Sequence, residues 1–306
     1  MADPDNPNDL NMNKSQVYSL VQDVIEFESS NFVKIYAKAV TANFFNKDSM
    51  YEEPDRSEII YSAPDDEDLP GKKARLTQAF FDSAFQAVNN TDKIIYYTKA
   101  IQSDSNFTSA WFNRGTAYNE MSRFEEAEAD FNWVIGREPA NTKAYMYRGI
   151  ARLKMERFAE AADDFTRMFK LNPQKSAEAL ANRGLCYQKM GDYSKAVVDY
   201  SAALELNPND FITLNNKGLC LRKLEKFEEA VEDHKQAIKI KADNAPAYYN
   251  LGCNYWQLNK MDEVVQSWEK ALEIDPQYAP AKKNLEQARK LAAWQKQKKV
   301  RRVRKK

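Results

Sequence analysis

The chain of 306 residues holds one histidine, His234, and three cysteines, Cys186, Cys220 and Cys253. Histidine is the side chain best suited to move protons near neutral pH, and a cysteine thiolate is a nucleophile or metal ligand. Neither type has suitable company here. A Cys2His2 zinc site needs a second histidine, and the cysteines lack metal-ligand spacing. They read as small apolar fillers without a disulfide framework. Aspartates recur at Asp130, Asp163, Asp164 and Asp199, and we read them as a solvated or surface-paired face. No Gly-Lys-Ser or Gly-Lys-Thr phosphate loop and no dinucleotide glycine fingerprint is present. His234 reads as a packed or partly exposed second-helix residue, so no catalysis, cofactor or metal is expected. The more informative polar residues are asparagines: Asn113, Asn182, Asn216 and Asn250 stand at matching places along the chain, with Tyr147 at the second such place. An amide carries donors and an acceptor, the complement of a peptide backbone.

The elements that position these residues are set by a period. Glycines fall at 115, 149, 184, 218 and 252, with gaps of 34, 35, 34 and 34 residues. Trp111, Tyr145, Leu180, Leu214 and Tyr248 precede them by four. Phe124, Phe158, Tyr193, Phe227 and Met261 follow by nine, and Ala127, Ala161, Ala196, Ala230 and Val264 by twelve. Proline closes four units at Pro139, Pro173, Pro208 and Pro276, with Ala242 in the other. Apolar spacings of three and four on either side of a short polar break predict two amphipathic helices per unit. Self-similarity at this period predicts a stacked array. A helix-interior glycine costs about 1 kcal/mol against alanine, so its recurrence predicts a close helix–helix approach, with the small residue twelve places on as its expected partner. Gln174-Lys175-Ser176 absorb the one-residue insertion.

On these residues the chain resembles the tetratricopeptide repeat family. Ala110 to Tyr118 matches the first-helix signature, and Phe124-Glu125-Glu126-Ala127 through Phe131 with Glu138-Pro139 matches the second. The resemblance implies an all-α fold, a right-handed α-solenoid of stacked helix-turn-helix units. Five repeats span 108–278. A degenerate unit is expected at 74–107, where Phe81 replaces the glycine and Ser105 the proline. A capping helix over 279–295, with Leu285, Ala288, Leu291 and Ala292 on its apolar side, would cover the last repeat.

Outside the array, 1–13 reads as disordered and 14–48 as a helical segment with two apolar stripes. That segment either packs on the first repeats or acts as a detachable or dimerising element. Residues 49–73 read as an acidic linker, in which Glu58-Ile59-Ile60-Tyr61-Ser62 is apolar enough to dock in the chain's own groove. Zero net charge hides a gradient: residues 1–73 carry 15 acidic and 7 basic groups, and residues 277–306 carry 1 and 12. The basic tail, 296–306, holds Lys296, Lys298, Lys299, Arg301, Arg302, Arg304, Lys305 and Lys306. Nuclear import, RNA, an anionic membrane or protein docking would each suit it. No apolar run nears the ~20 residues of a membrane span. The acidic, polar N-terminus and the cysteine usage predict a cytoplasmic location, with the nucleus as the alternative.

The resemblance implies that first helices line a concave groove. There Asn113, Asn182, Asn216 and Asn250 would form a ladder like that of the O-GlcNAc transferase repeats. It would read a peptide backbone, or else consist of solvated residues and repeat-to-repeat bonds. Phe112, Met146, Tyr147, Ile150, Tyr249 and Trp256 are the expected apolar lining, with Leu185 and Leu219 as either lining or core. Lys143, Lys154, Lys189, Arg222 and Lys223 are interspersed. The expected partner is a protein segment, extended or helical, with apolar anchors and some acidic side chains. The clamp by which co-chaperones of this family hold Hsp70 or Hsp90 tails is not matched: the corresponding positions hold Gln78, Asp82, Asn113, Lys143 and Tyr147. A protein-binding adaptor or assembly factor is the expected function. The alternative is a nucleic-acid-associated factor whose tail binds RNA or DNA while the repeats dock it to a complex.

Overall fold

The structure, a computed structural model, describes residues 69–173 and 176–303. The segments expected at 1–13 and 14–48, residues 49–68 of the expected linker, Gln174-Lys175 of the insertion and Arg304 to Lys306 lie outside the described residues. Among the described residues every regular element is a helix: α1 (Leu69–Gln86), α2 (Asn90–Ser103), α3 (Thr108–Glu120), α4 (Phe124–Arg137), α5 (Thr142–Lys154), α6 (Phe158–Leu171), α7 (Ala177–Lys189), α8 (Tyr193–Leu206), α9 (Phe211–Lys223), α10 (Phe227–Ile240), α11 (Ala245–Gln257), α12 (Met261–Ile274) and α13 (Ala279–Val303). The all-α solenoid expectation is met, with paired helices from α3 to α12 following the predicted repeats. The chain divides into two compact units, the division falling between Asp130 and Phe131 within α4.

Each repeat turns between its helices in one way. The seventh residue after the glycine adopts a left-handed backbone: Ser122, Glu156, Gly191, Glu225 and Asn259 have φ of 60, 61, 82, 60 and 58°. The next N–H bonds back over the turn, as in Arg123 to the Tyr118 carbonyl at 2.9 Å and Lys226 to the Leu221 carbonyl at 2.9 Å. These are Schellman closures, which satisfy the orphan carbonyls at a helix end. Only Gly191 is free of the steric penalty there, and four side-chain-bearing residues accept it to keep the reversal tight.

In the first unit α1 packs on α2. Phe81, at the glycine position, sets its ring 5.5 Å from Tyr97 and 5.1 Å from Phe107. A ring-on-ring core over Ala84, Ala100 and Ala110 thus replaces the close approach of a glycine. Helix α1 starts at Leu69, earlier than the expected unit start at 74, so Leu69 to Lys73 belong to a helix and not to a linker. Pro70 near its start costs no hydrogen bond, because the first N–H groups of a helix have no partner anyway.

In the second unit each helix packs on its neighbours in sequence, and first helices also touch one another, α7 on α9 and α9 on α11. The glycines do not face the small residue twelve places on. A Cβ on Gly149 would lie 2.9 Å from Phe165, on Gly184 2.9 Å from Tyr200, on Gly218 2.7 Å from His234 and on Gly252 2.4 Å from Trp268. The glycine therefore makes room for a ring sixteen residues on, inside its own repeat. The small residues meet the following repeat instead: Ala161 packs with Cys186, and Ala196 with Cys220.

The aspartates also depart from expectation. Asp130, Asp164, Asp199 and Asp233 are buried, while Asp163 is exposed. Each buried member pairs with the cation preceding the glycine of its own repeat: Arg114–Asp130 at 2.7 Å, Arg148–Asp164 at 2.5 Å, Arg183–Asp199 at 2.6 Å and Lys217–Asp233 at 3.0 Å. The arginines reach further. Arg114 donates to Thr98, Arg148 to Asn132 and Arg183 to Thr166, each on the preceding second helix. A five-donor fork can serve two helices at once, whereas the ammonium of Lys217 is a single point. Asp233 Oδ2 is accordingly left without a partner. Burial raises the Asp130 and Asp233 carboxyls above their usual range despite the cations beside them.

Candidate binding face on the first helices

Asn182 and Asn216 come together. They line a cavity of about 260 Å³ with Leu185, Tyr200, Ile212 and Thr213, across α7, α8 and α9. Neither amide makes a hydrogen bond within the described residues, so both are available to a ligand. The other two asparagines are engaged: Asn113 donates to the Ser109 carbonyl of its own helix at 2.8 Å, and Asn250 donates to Asn215 Oδ1 at 3.1 Å across the repeat boundary. In the first unit Asn113 also borders a cavity of about 180 Å³ with Phe85, Tyr97 and Glu120. Half-buried Phe112 belongs to that unit.

Of the other expected lining residues, Tyr147 stacks on Phe131 at 6.0 Å, and Ile150 packs against the core of Ala161, Ala162, Phe165 and Cys186. Met146 is half-buried, as is Leu219; Lys143, Lys154, Lys189 and Lys223 are exposed. Cys186 and Cys220 are buried, with desolvation pushing both thiols up to about 12. They are inert fillers, as expected. His234 is fully buried and neither ring nitrogen has a partner. Desolvation, aided by the charge of Arg222, lowers its pKa to about 4. A ring sealed in this way has no access to a substrate.

Tyr249, Trp256 and Arg222 meet in a second cavity, of about 230 Å³, with Cys253, Gln257, Trp268, Asn284 and Gln287. Its walls come from α9, α11, α12 and α13. Trp268 is clasped between Tyr249 at 5.6 Å and Trp256 at 5.7 Å, both nearly parallel to it. Its indole Nε1 donates to the Tyr249 carbonyl at 3.0 Å, and Asn284 donates to the Tyr249 hydroxyl at 3.1 Å. Gly252 leaves the space for this stack. Burial raises the Tyr249 hydroxyl and the Cys253 thiol above their usual values, although Tyr249 and Arg222 work against the rise at Cys253. Trp268 and Asn284 belong to the site yet escape a reading confined to first helices. The one cue was that Trp268 is the largest ring in its slot.

Charge divides between the two helix sets of the second unit. Helices α5, α7, α9 and α11 carry nine basic residues and one acidic. Helices α6, α8, α10 and α12 carry thirteen acidic and six basic. Four first-helix cations, Arg148, Arg152, Arg183 and Lys217, are matched by buried aspartates.

Helix α13 covers α12 through Ala281, Leu285, Ala288 and Ala292, as a cap should. It runs to Val303, so the tail continues the cap helix past 295. Lys296 pairs with Asp262 at 3.0 Å and Lys298 lies 4.7 Å over Trp294. The side chains of Lys299, Arg301 and Arg302, and all of Arg304, Lys305 and Lys306, are outside the described residues. Among the described residues no helix is long and apolar enough to cross a membrane.

No curated protein matches the chain by sequence. Among solved structures it is similar to YrrB, described as a TPR protein with an unusual peptide-binding site, at 22% identity and TM-score 0.53, covering 60% of this chain and 95% of that one. It is similar to MamA at 22% identity and TM-score 0.52, covering 56% and 94%, and to a double mutant, MamA RS-1 ArsTM, at 18% identity and 0.54, covering 56% and 96%. At such identities these likenesses speak to the fold. Sequence profiles described as Tetratricopeptide repeat match residues 112–176, 177–210, 200–232 and 245–278, and one described as TPR repeat matches 218–259. With the glycine–ring pairs and the Schellman turns recurring at the same period, the chain belongs to the tetratricopeptide repeat family.

Proposed function

We propose that this protein is a non-catalytic adaptor whose second unit binds an extended segment of a partner protein along its first helices. The observation that carries this reading is the pair Asn182 and Asn216: two free amides on neighbouring first helices, open to one cavity that Glu178 and Asp210 also line. A strand-like peptide laid across them would exchange backbone hydrogen bonds with each amide, and an anchor side chain would enter the aromatic cavity beside Tyr249 and Trp256. The description of YrrB, a protein of the same fold, as having a peptide-binding site lends support. Each amide–backbone bond contributes about 0.5–1.5 kcal/mol net.

The test is selection of a displayed library of twelve-residue peptides on the full chain, followed by affinity measurement against an Asn182→Ala/Asn216→Ala variant. The expected outcome is enrichment of defined sequences, bound roughly tenfold more weakly by the folded double variant. Absence of enrichment, or equal binding by that variant, overturns the reading. If binding partners of the full chain depended on nuclease-sensitive contacts of residues 296–306, the assignment would pass to the tail.

A further inference from the structure

Arg222 is the exception among the half-buried cations on the first helices of the second unit. Arg148 and Arg152 share Asp164, Arg183 holds Asp199 and Lys217 holds Asp233. Arg222 makes no ion pair among the described residues, and its Nε is buried without a hydrogen-bond partner. A buried guanidinium nitrogen without a partner is costly to a fold. No carboxylate pairs with it among the described residues: of those on α12, Asp262, Glu269 and Glu273 are held by Lys296, Arg289 and Lys270. Helices α9 and α11 contain no acidic residue, and Glu286 of α13 is already paired with Lys290 at 2.6 Å. The buried neighbour His234 is uncharged at neutral pH, and its ring nitrogens make no bond to Arg222.

The same arginine forms one wall of the cavity that Tyr249, Trp256, Asn284, Gln257 and Gln287 complete. That cavity offers one positive charge, neutral amides around it and flat aromatic walls. We propose that it receives the side-chain carboxylate of an aspartate or glutamate lying within a partner's peptide segment, with Arg222 as counter-ion and an apolar neighbour of that acid against Trp256. A carboxylate suits the site better than a phosphate. It brings one charge to one guanidinium, matches the planar fork, and needs no second cation or helix N-terminus. This inference rests on the peptide-binding reading and names the residue type that the groove selects.

The same display experiment tests it, provided each peptide is fused through its C-terminus, so that any selected acid is a side chain. Selection runs in parallel on the full-length wild type, Arg222→Leu and Arg222→Lys. The expected result is one position restricted to Asp or Glu in wild-type binders. Replacement of that acid by its amide should weaken binding about tenfold to a hundredfold, the range of a charge-assisted hydrogen bond. In Arg222→Leu the restriction should vanish, whereas Arg222→Lys retains part of it. Arg222→Leu removes an uncompensated charge and should melt no lower than wild type; if it fails to fold, Arg222→Gln replaces it. Enriched peptides without a fixed acid, or an acid still required by the Arg222→Leu protein, overturn the carboxylate pocket and leave the groove standing. No enrichment on any variant removes both.

Discussion

His234 stands where the other repeats of its unit place Phe131, Phe165, Tyr200 and Trp268, and it shows how a single residue can set a pH limit. Its ring fills the space beside Gly218 with two nitrogens that nothing satisfies. The folded state holds its pKa near 4, below the ordinary value of 6.5. Below about pH 6.5 the unfolded chain therefore binds a proton that the folded chain refuses. The stabilising difference is fully present above that pH and is lost as pH falls toward 4, by up to about 3 kcal/mol at 1.36 kcal/mol per unit. Urea unfolding of wild type and His234→Phe between pH 4 and 7 should show the two curves diverging on the acid side, with the phenylalanine variant less sensitive. Parallel curves would mean that the ring reaches solvent. Sequence reading placed His234 in a helix correctly, because the repeat register is strong. It left the degree of burial open, because burial depends on the adjacent repeat.

At the scale of the helix, the buried ion pairs tie the first helix of four repeats to its own second helix, and the arginines extend the tie to the helix before. Asp164 is the most heavily used, taking Arg148 and Arg152 at 2.5 and 2.9 Å. Asp164→Ala would take from Arg148 its buried carboxylate and leave Arg152 with the more distant Glu160 at 3.9 Å, and should cost about 3–5 kcal/mol in a urea melt. Asp233→Ala, which frees only Lys217, should cost clearly less, since an ammonium on a flexible stem can turn to water. Equal losses would refute this ranking. The pairing was latent in the sequence: Arg114, Arg148, Arg183 and Lys217 each precede an aspartate by sixteen, and the fifth repeat has Leu251 and Ser267 instead. A search for periodicity along single helices passes over such a pair, because its members lie on different helices.

For the molecule as a whole, the last repeat depends on its cover. Met261, Val264, Trp268 and Ala271 are buried in a cluster that α13 completes with Ala281, Leu285, Ala288 and Ala292. A chain ending at Tyr278 would uncover that surface together with the aromatic cavity. Its unfolding midpoint in urea should fall by an amount equivalent to roughly 3–5 kcal/mol, from the burial of one leucine and several smaller side chains, with increased dye binding to exposed apolar surface. A chain ending at Lys298 keeps these contacts and should match the full chain. If the shorter chain were equally stable, α13 would be an appendage and not a cover. The capping role was legible from the apolar stripe of 279–295, whereas the helix's extension to Val303 was not, because basic side chains favour helix as well as tail.

The sequence by itself determined the repeat: five imperfect copies in one register specify the helix pairs, the turns and the solenoid, since errors in one copy are corrected by the others. The tertiary structure decided what the residues in those helices do. It sealed His234, turned Asp130, Asp164, Asp199 and Asp233 inward, set Gly149, Gly184, Gly218 and Gly252 against rings and not alanines, and tied Asn113 and Asn250 to their own chain while leaving Asn182 and Asn216 free. It also left Arg222 without an anion. Each of these outcomes turns on atoms brought within a few ångströms by packing between helices, often from different repeats, and local sequence carries no signal of a partner supplied by another helix.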